Sequence, residues 1–186
     1  MSKLSDARIM GVIGAILMLV GGYVPLGSII GLVLIFLAVK YISEEAKEES
    51  IFNNYLMHFI FIIFALVATT FIIFYAIGGF DFFSLIQSVD FTDFNSVWNF
   101  FEPYLAGIII GLVVGWVLFI VSAFYLRKSY NSIASHTKVN MFNTAATVYL
   151  IGAVTFVVGI GILLILISQI LTIIAFFRLP EKLPKG

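Results

Sequence analysis

The side chains that could do chemistry in this sequence are few and scattered. It holds two histidines and no cysteine. Disulfides, thiolate metal sites, iron–sulfur clusters and a cysteine nucleophile are therefore excluded. No nucleophile–base pair, phosphate-binding glycine loop or metal-ligand cluster is visible. We predict no catalytic residues, no metal site and no cofactor, so that no enzyme activity is evident.

The two histidines are expected to have structural roles. His58 lies two or three residues inside an apolar segment, at the depth of a membrane interface, where a hydrogen-bonded or snorkelling histidine is favoured over a titrating one. His136 lies in a basic connector beside Ser135, Thr137 and Lys138. A lone histidine makes a poor metal site, so His136 is predicted to be a solvated loop residue.

Several polar residues lie deeper inside apolar segments, where no water is available to them. They are Thr69, Thr70, Ser122, Thr155, Ser168, Gln169 and Thr172. Interhelical hydrogen bonding, worth about 1 kcal/mol per contact, is the favoured interpretation. The alternative is a polar pathway along the axis of a helix bundle, formed by Thr69, Thr155 and Gln169.

Composition places these residues in a membrane protein. Hydrophobic residues make up 62% of the 186 residues, charged residues 11%, and the mean hydropathy is +1.15. A soluble domain is about half apolar and a quarter charged. The net charge is zero, which argues against a nucleic-acid partner.

The apolar segments predict six membrane-spanning helices. The runs 56–78 and 104–126 have the length of single spans. The runs 9–42 and 144–177 would each measure about 51 Å as one helix, too long for a single crossing. Each is broken near its centre, by Gly21-Gly22-Tyr23-Val24-Pro25 in the first and by Gly159-Ile160-Gly161 in the second.

The predicted fold class is all-α: a polytopic membrane helix bundle forming one transmembrane domain over residues 1–186. It comprises a hairpin over 6–42, spans 56–78 and 104–126 joined by an outside segment 79–103, and a hairpin over 143–179. The outside segment is rich in aromatic residues at helical spacing, which predicts short helices lying in the outer interface.

The charge distribution predicts the orientation. With six spans, all the basic residues fall on one side: Lys3, Arg8, Lys40, Lys47, Arg127, Lys128, Lys138, Arg178, Lys182 and Lys185. The outside segment instead carries Asp81, Asp90, Asp93 and Glu102. Because Lys and Arg favour cytoplasmic loops, both termini are predicted to be cytoplasmic, in a multi-pass protein of the cytoplasmic membrane.

Two glycine patterns predict close helix packing. Gly107, Gly111 and Gly115 recur every four residues and so line one face of a helix; Gly27 and Gly31 repeat this spacing once. Missing side chains allow two helix backbones to approach closely. The pattern leaves open whether the second helix belongs to the same chain.

The two long hairpins also resemble each other. Ile13-Gly14-Ala15 matches Ile151-Gly152-Ala153, and Val20-Gly21 matches Val158-Gly159 at the same spacing. After one deletion, Leu26, Ile30, Leu34 and Ala38 align with Leu163, Ile167, Leu171 and Ala175. A duplication of this kind would repeat a hairpin in the same orientation.

Six short segments carry a resemblance to a known family: 7–11, 37–42, 50–55, 142–143, 151–153 and 175–180. The sequence resembles an archaeal family of small multispanning membrane proteins known as a domain of unknown function (number nine hundred and ninety-six). The resemblance covers nearly the whole chain. It implies an archaeal cytoplasmic membrane and brings no activity or site residues with it.

Two classes of function are therefore expected. The first is a non-catalytic accessory or scaffold subunit, which packs against a membrane-protein partner or forms a homo-oligomer in the lipid bilayer. The second is a small channel or transporter for an uncharged or weakly polar solute. An accessory subunit predicts a dry interior and outward-facing glycine faces, whereas transport predicts polar residues around a water-accessible cavity.

Overall fold

The computed structural model describes residues 3–21 and 25–184, and within them the chain forms helices and no strand. The α-helices are α1 (Lys3–Val20), α2 (Pro25–Ala46), α3 (Glu49–Ala76), α4 (Phe82–Leu85), α5 (Phe94–Phe101), α6 (Leu105–Thr137), α7 (Met141–Val154) and α8 (Ile160–Phe177). Short 3-10 helices cover Gly79–Asp81, Ile86–Ser88, Glu102–Tyr104 and Phe156–Val158. The all-α prediction is confirmed.

Both long apolar runs are divided where the sequence predicted. In the second run, α7 ends before Thr155, and Gly159 begins α8 with a φ of 81°, a conformation that glycine adopts without steric cost. In the first run, α1 and α2 are separate helices, and Gly22, Tyr23 and Val24 of the predicted break lie outside the described residues.

Four helical stretches are long and apolar enough to cross a membrane: Gly27–Ala46, Glu49–Ala76, Phe94–Thr137 and Ile160–Phe177. The shorter α7 has 14 residues, or about 21 Å. α3 and α6 extend beyond the predicted spans 56–78 and 104–126, since α3 begins at Glu49 and α6 ends at Thr137. The chain is therefore a membrane protein by helix length and composition, whereas six full spans stay a prediction.

The chain divides into two compact units. Unit 1 comprises the described residues up to Ile60 and from Ile120 onward; unit 2 is Phe61–Phe119. Unit 1 holds one apolar core, whose largest fully buried side chains include Leu4, Ile42, Ile51, Ile133, Phe142 and Leu179. These residues mark one end each of α1, α2, α3, α6, α7 and α8. The first and last helices therefore reach the same end of unit 1, beside most of the basic residues.

The internal repeat extends to burial in unit 1. Equivalent positions that are buried in both hairpins are Leu4 and Phe142, Ala7 and Ala145, Gly14 and Gly152, Ala15 and Ala153, Ala38 and Ala175, Val39 and Phe176, and Ile42 and Leu179. Ile30 and Ile167 are exposed in both. The two hairpins thus turn the same face of each helix toward the core. The side chain of Leu26 lies outside the described residues.

Unit 2 contains the second part of α3, the first part of α6 and the short helices between them. Ala65 and Gly111 are the buried residues among the described side chains of this unit. Between the two long helices, Asp93 caps the start of α5, and its carboxylate accepts hydrogen bonds from the N–H groups of Asn95 and Ser96. The predicted short helices are present, although the side chain of Phe83 is outside the described residues.

Candidate functional site

His58 is the centre of a buried polar cluster in unit 1. Its side chain is 8% exposed and reaches from α3 to α6. The imidazole Nδ1 lies 2.7 Å from the Ser122 hydroxyl and 3.1 Å from the Ser122 backbone oxygen. The same hydroxyl lies 2.9 Å from the His58 backbone oxygen. Each residue therefore contacts both the side chain and the backbone of the other.

These distances determine the direction of the hydrogen bonds. The Ser122 carbonyl can only accept, so His58 Nδ1 must carry the proton and donate. The Ser122 hydroxyl then donates its single proton to the His58 carbonyl and accepts from Nδ1. His58 does not act as a base toward Ser122 in this arrangement. The pair joins two helices and does not have the geometry of an activated serine nucleophile.

Three tyrosines surround this pair. Tyr55 stacks on Tyr130 with ring centroids 6.4 Å apart and planes 5° from parallel. His58 lies 5.7 Å from the Tyr55 ring and meets the Tyr149 ring edge-on at 5.8 Å. Tyr55 and Tyr130 are buried. We call His58, Ser122, Tyr55, Tyr130 and Tyr149 the histidine–tyrosine cluster; it joins α3, α6 and α7.

Two further serines bind neighbouring helices at this end of unit 1. Ser129 donates to the Ile51 carbonyl at 2.7 Å, and Ser168 donates to the Ala145 carbonyl at 2.8 Å. Both hydroxyls are buried. Ser122 and Ser168 thus have the interhelical partners expected from the sequence. The Thr172 hydroxyl donates to the Ser168 carbonyl of its own helix, and its side chain also shares a hydrogen bond with Tyr130 of α6.

The three residues of the predicted polar pathway belong to two units, Thr155 and Gln169 to unit 1 and Thr69 to unit 2. The Thr155 hydroxyl donates to Ile151 of its own helix at 2.8 Å, and Gln169 is half-buried on α8. Among the described residues these two share no hydrogen bond. Thr69 belongs to unit 2, where its side chain lies against Gly115.

The glycine face of α6 lies against α3 of the same chain. A Cβ added at Gly107 would meet Ala76, one at Gly111 would meet Ile73, and one at Gly115 would meet Thr69. In unit 1, Gly31 lies against Gly14, the close approach that joins α1 and α2, and Gly27 is buried. In the described residues these faces therefore lie against helices of the same chain, whereas an accessory subunit was expected to turn them outward toward a partner.

His136 differs from its prediction. It lies in the last turn of α6 and not in a loop, and its Nδ1 donates to the Ser132 carbonyl at 2.8 Å. The prediction was wrong because α6 continues past the apolar segment for another eleven residues, to Thr137. In the part of the chain that the structure describes, no three His, Asp or Glu side chains group as metal ligands.

Comparison with known proteins identifies the family. A family described as "Protein of unknown function (DUF996)" matches residues 27–170. The chain belongs to this family. This match confirms the resemblance seen in the sequence, although the segments 7–11 and 175–180 lie outside the matched residues. An uncharacterized protein of the archaeon Methanocaldococcus jannaschii is 28% identical, over 97% of this chain and 96% of that protein. No solved structure matches.

The sequence did not single out the three tyrosines of the cluster. Tyr55, Tyr130 and Tyr149 are far apart along the chain, and isolated tyrosines near a membrane interface are common. Their meeting depends on how α3, α6 and α7 pack. One signal was present: Tyr55 precedes His58 by three residues and so shares its helix face.

Proposed function

We propose that this protein is a non-catalytic accessory or scaffold subunit of a membrane complex, with both termini on the cytoplasmic side of an archaeal cytoplasmic membrane. Unit 1 would provide a stable body, and the two long helices of unit 2 would provide the surface that meets a partner subunit. The proposal is supported most by one observation, the difference in burial between the two units.

The apolar side chains of unit 2 are turned outward along both long helices. Leu66 is 69% exposed and Leu112 is 55% exposed, and Phe64, Phe71 and Val113 are exposed beside them. In lipid, helix association depends on packing and not on hydrophobicity, so such a surface is compatible with either lipid or protein contact. Phe80, Phe91 and Trp98, in the segment between α3 and α6, are exposed as well; aromatic residues are enriched both at protein interfaces and at membrane surfaces.

The histidine–tyrosine cluster supports a structural role for unit 1. The hydrogen bonds between His58 and Ser122 join α3 to α6 and use the Nδ1 proton and the Ser122 hydroxyl. A rigid, internally bonded body suits a protein that holds a partner in place.

A small channel or transporter for an uncharged or weakly polar solute stays the alternative prediction, with Thr69, Thr155 and Gln169 as its polar residues. No observation in the described residues favours it over the accessory role.

Co-purification tests the accessory role. The full-length protein, extracted from its native membrane in mild detergent, is expected to carry one defined membrane protein at constant stoichiometry. The Leu66→Ala/Leu112→Ala variant should lose that protein, because both side chains lie on the proposed surface. The control Ile162→Ala/Leu163→Ala, on exposed positions of α8, should retain it. A protein that always purifies alone, or a partner retained equally by both variants, would contradict the proposal.

A further inference from the structure

An open pocket lies at the basic end of unit 1, apart from the histidine–tyrosine cluster. Its volume is about 460 Å³, and it is lined by Lys138, Val139, Asn140, Met141, Thr144 and Arg178. The first five residues form the turn from α6 into the first helical turn of α7, and Arg178 follows the end of α8. We call it the connector pocket.

The connector pocket is positively charged and has no acidic lining residue. Lys138 and Arg178 line it, and neither forms an ion pair with a carboxylate in the described residues. Lys138 adopts a φ of 60°, which is uncommon for a residue other than glycine. The turn thus holds one cation near a second cation from a distant part of the chain.

Polar groups accompany the two cations. The side chain of Asn140 does not cap α7, and the Thr144 hydroxyl, one helical turn further along, donates to the Asn140 carbonyl at 3.4 Å. The start of α7 adds a partial positive charge to that of the two side chains.

We propose that the connector pocket binds the phosphate group of an anionic phospholipid, at the membrane surface that carries the basic residues. A phosphate oxygen pair fits the planar fork of an arginine, and a lysine adds a second positive charge. Basic pockets between membrane helices bind acidic headgroups in this way. Val139 and Met141 supply apolar lining for the part of the lipid next to its phosphate. This inference goes beyond the proposed accessory role and does not depend on it.

The source of the phosphate is assigned to lipid because of where the pocket lies. α7 and α8 are apolar helices, and the pocket lies where α7 begins and α8 has just ended. A headgroup can reach that position while its acyl chains stay beside the helices. A soluble phosphate compound would have the same phosphate chemistry but would lack those chains.

Native mass spectrometry of the full-length protein in detergent tests the proposal. Phosphatidylglycerol is titrated against wild-type protein and the Lys138→Gln/Arg178→Gln variant. Losing two charge-assisted contacts should weaken binding of the first lipid by about tenfold or more. The control Lys40→Gln/Lys47→Gln removes the same charge, and Lys47 has a similar positive φ of 53°; its affinity should equal that of wild type.

Two further arms complete the test. The Lys138→Arg/Arg178→Lys variant keeps both charges and should bind within about threefold of wild type, even if the Gln variant folds poorly. Glycerol 3-phosphate should bind far more weakly than the lipid. Equal lipid binding by wild type and the Lys138→Gln/Arg178→Gln variant, or an equal loss in the control, would overturn the site. Equal affinity for glycerol 3-phosphate would overturn the lipid assignment.

Discussion

Units 1 and 2 differ in how far they bury their apolar side chains. Unit 1 packs the ends of six helices around one core, with Phe142 and Phe176 in edge-to-face contact at 5.1 Å. Unit 2 places two long helices side by side along a glycine face and leaves nearly all other described side chains exposed or half-buried. A similar composition thus produces a buried core in unit 1 and almost none in unit 2. Unit 1 also has an apolar outer surface, since residues of α8 such as Leu163 are exposed.

The largest expected effect comes from removing a core aromatic in unit 1. Phe142→Ala deletes a ring that is fully buried and contacts Tyr130 and Phe176. We expect the free energy of unfolding to fall by about 3–5 kcal/mol, measured by denaturant titration in detergent micelles. Phe71→Ala, at an exposed phenylalanine of unit 2, should change it by less than about 1 kcal/mol. Equal losses would show that the two units are not packed differently.

The next largest effect is expected at glycines where two helices lie close together, and it should differ between the two units. A Cβ at Gly14 would lie 2.7 Å from the Gly31 backbone oxygen, so Gly14→Ala must push α1 and α2 apart. We expect a loss of about 1–3 kcal/mol. At Gly111 in unit 2 the nearest atom is a side-chain carbon of Ile73, which can rotate away. Gly111→Ala should therefore cost less; a larger cost at Gly111, measured by the same titration, would contradict this ranking.

The histidine–tyrosine cluster predicts a moderate effect. Ser122→Ala removes the hydroxyl that donates to the His58 carbonyl, while His58 Nδ1 can still donate to the Ser122 carbonyl. The free energy of unfolding should fall by about 1–2 kcal/mol. Ser135→Ala removes an exposed hydroxyl bonded within its own helix and is the matched control. A loss no larger than that of the control would mean that the cluster does not hold α3 to α6.

The smallest effect lies in the exposed segment of unit 2. The hydroxyl and N–H of Thr92 donate to the Asp90 carboxylate and lower its pKa below the ordinary value of 3.8. The stabilisation of this turn is therefore present above that ordinary value and is lost as the pH falls through the lowered pKa. Thr92→Val should raise the pKa of Asp90, as measured by carboxyl NMR titration. An unchanged midpoint would show that the turn does not form.

Local signals in the sequence predicted the helices and their breaks. Gly159 marks the break between α7 and α8 by a property of the residue itself, its tolerance of positive φ. The spacing of Gly107, Gly111 and Gly115 predicted a packing face because helical periodicity is local. The sequence also showed that Gly14 and Gly152 occupy equivalent positions of the two hairpins, and the structure shows that both are buried.

These local signals could not predict which helices pack against one another. The glycine face of α6 did not specify its partner, because any helix with a suitable surface could fill it. The histidine–tyrosine cluster joins residues from three helices, and the connector pocket joins Lys138 to Arg178 across α7 and α8. His136 was misplaced because apolar length shows where a span ends, and polar residues can continue its helix.

Photocrosslinking in the native membrane tests the central claim most directly. A photoreactive amino acid is placed at Leu66 or Leu112 in unit 2, and at Leu163 in unit 1 as a control with similar exposure (63%). We predict a discrete adduct with a second membrane protein from positions 66 and 112, and lipid adducts alone from position 163. Lipid adducts alone at all three positions, or the same protein adduct from position 163, would contradict the account.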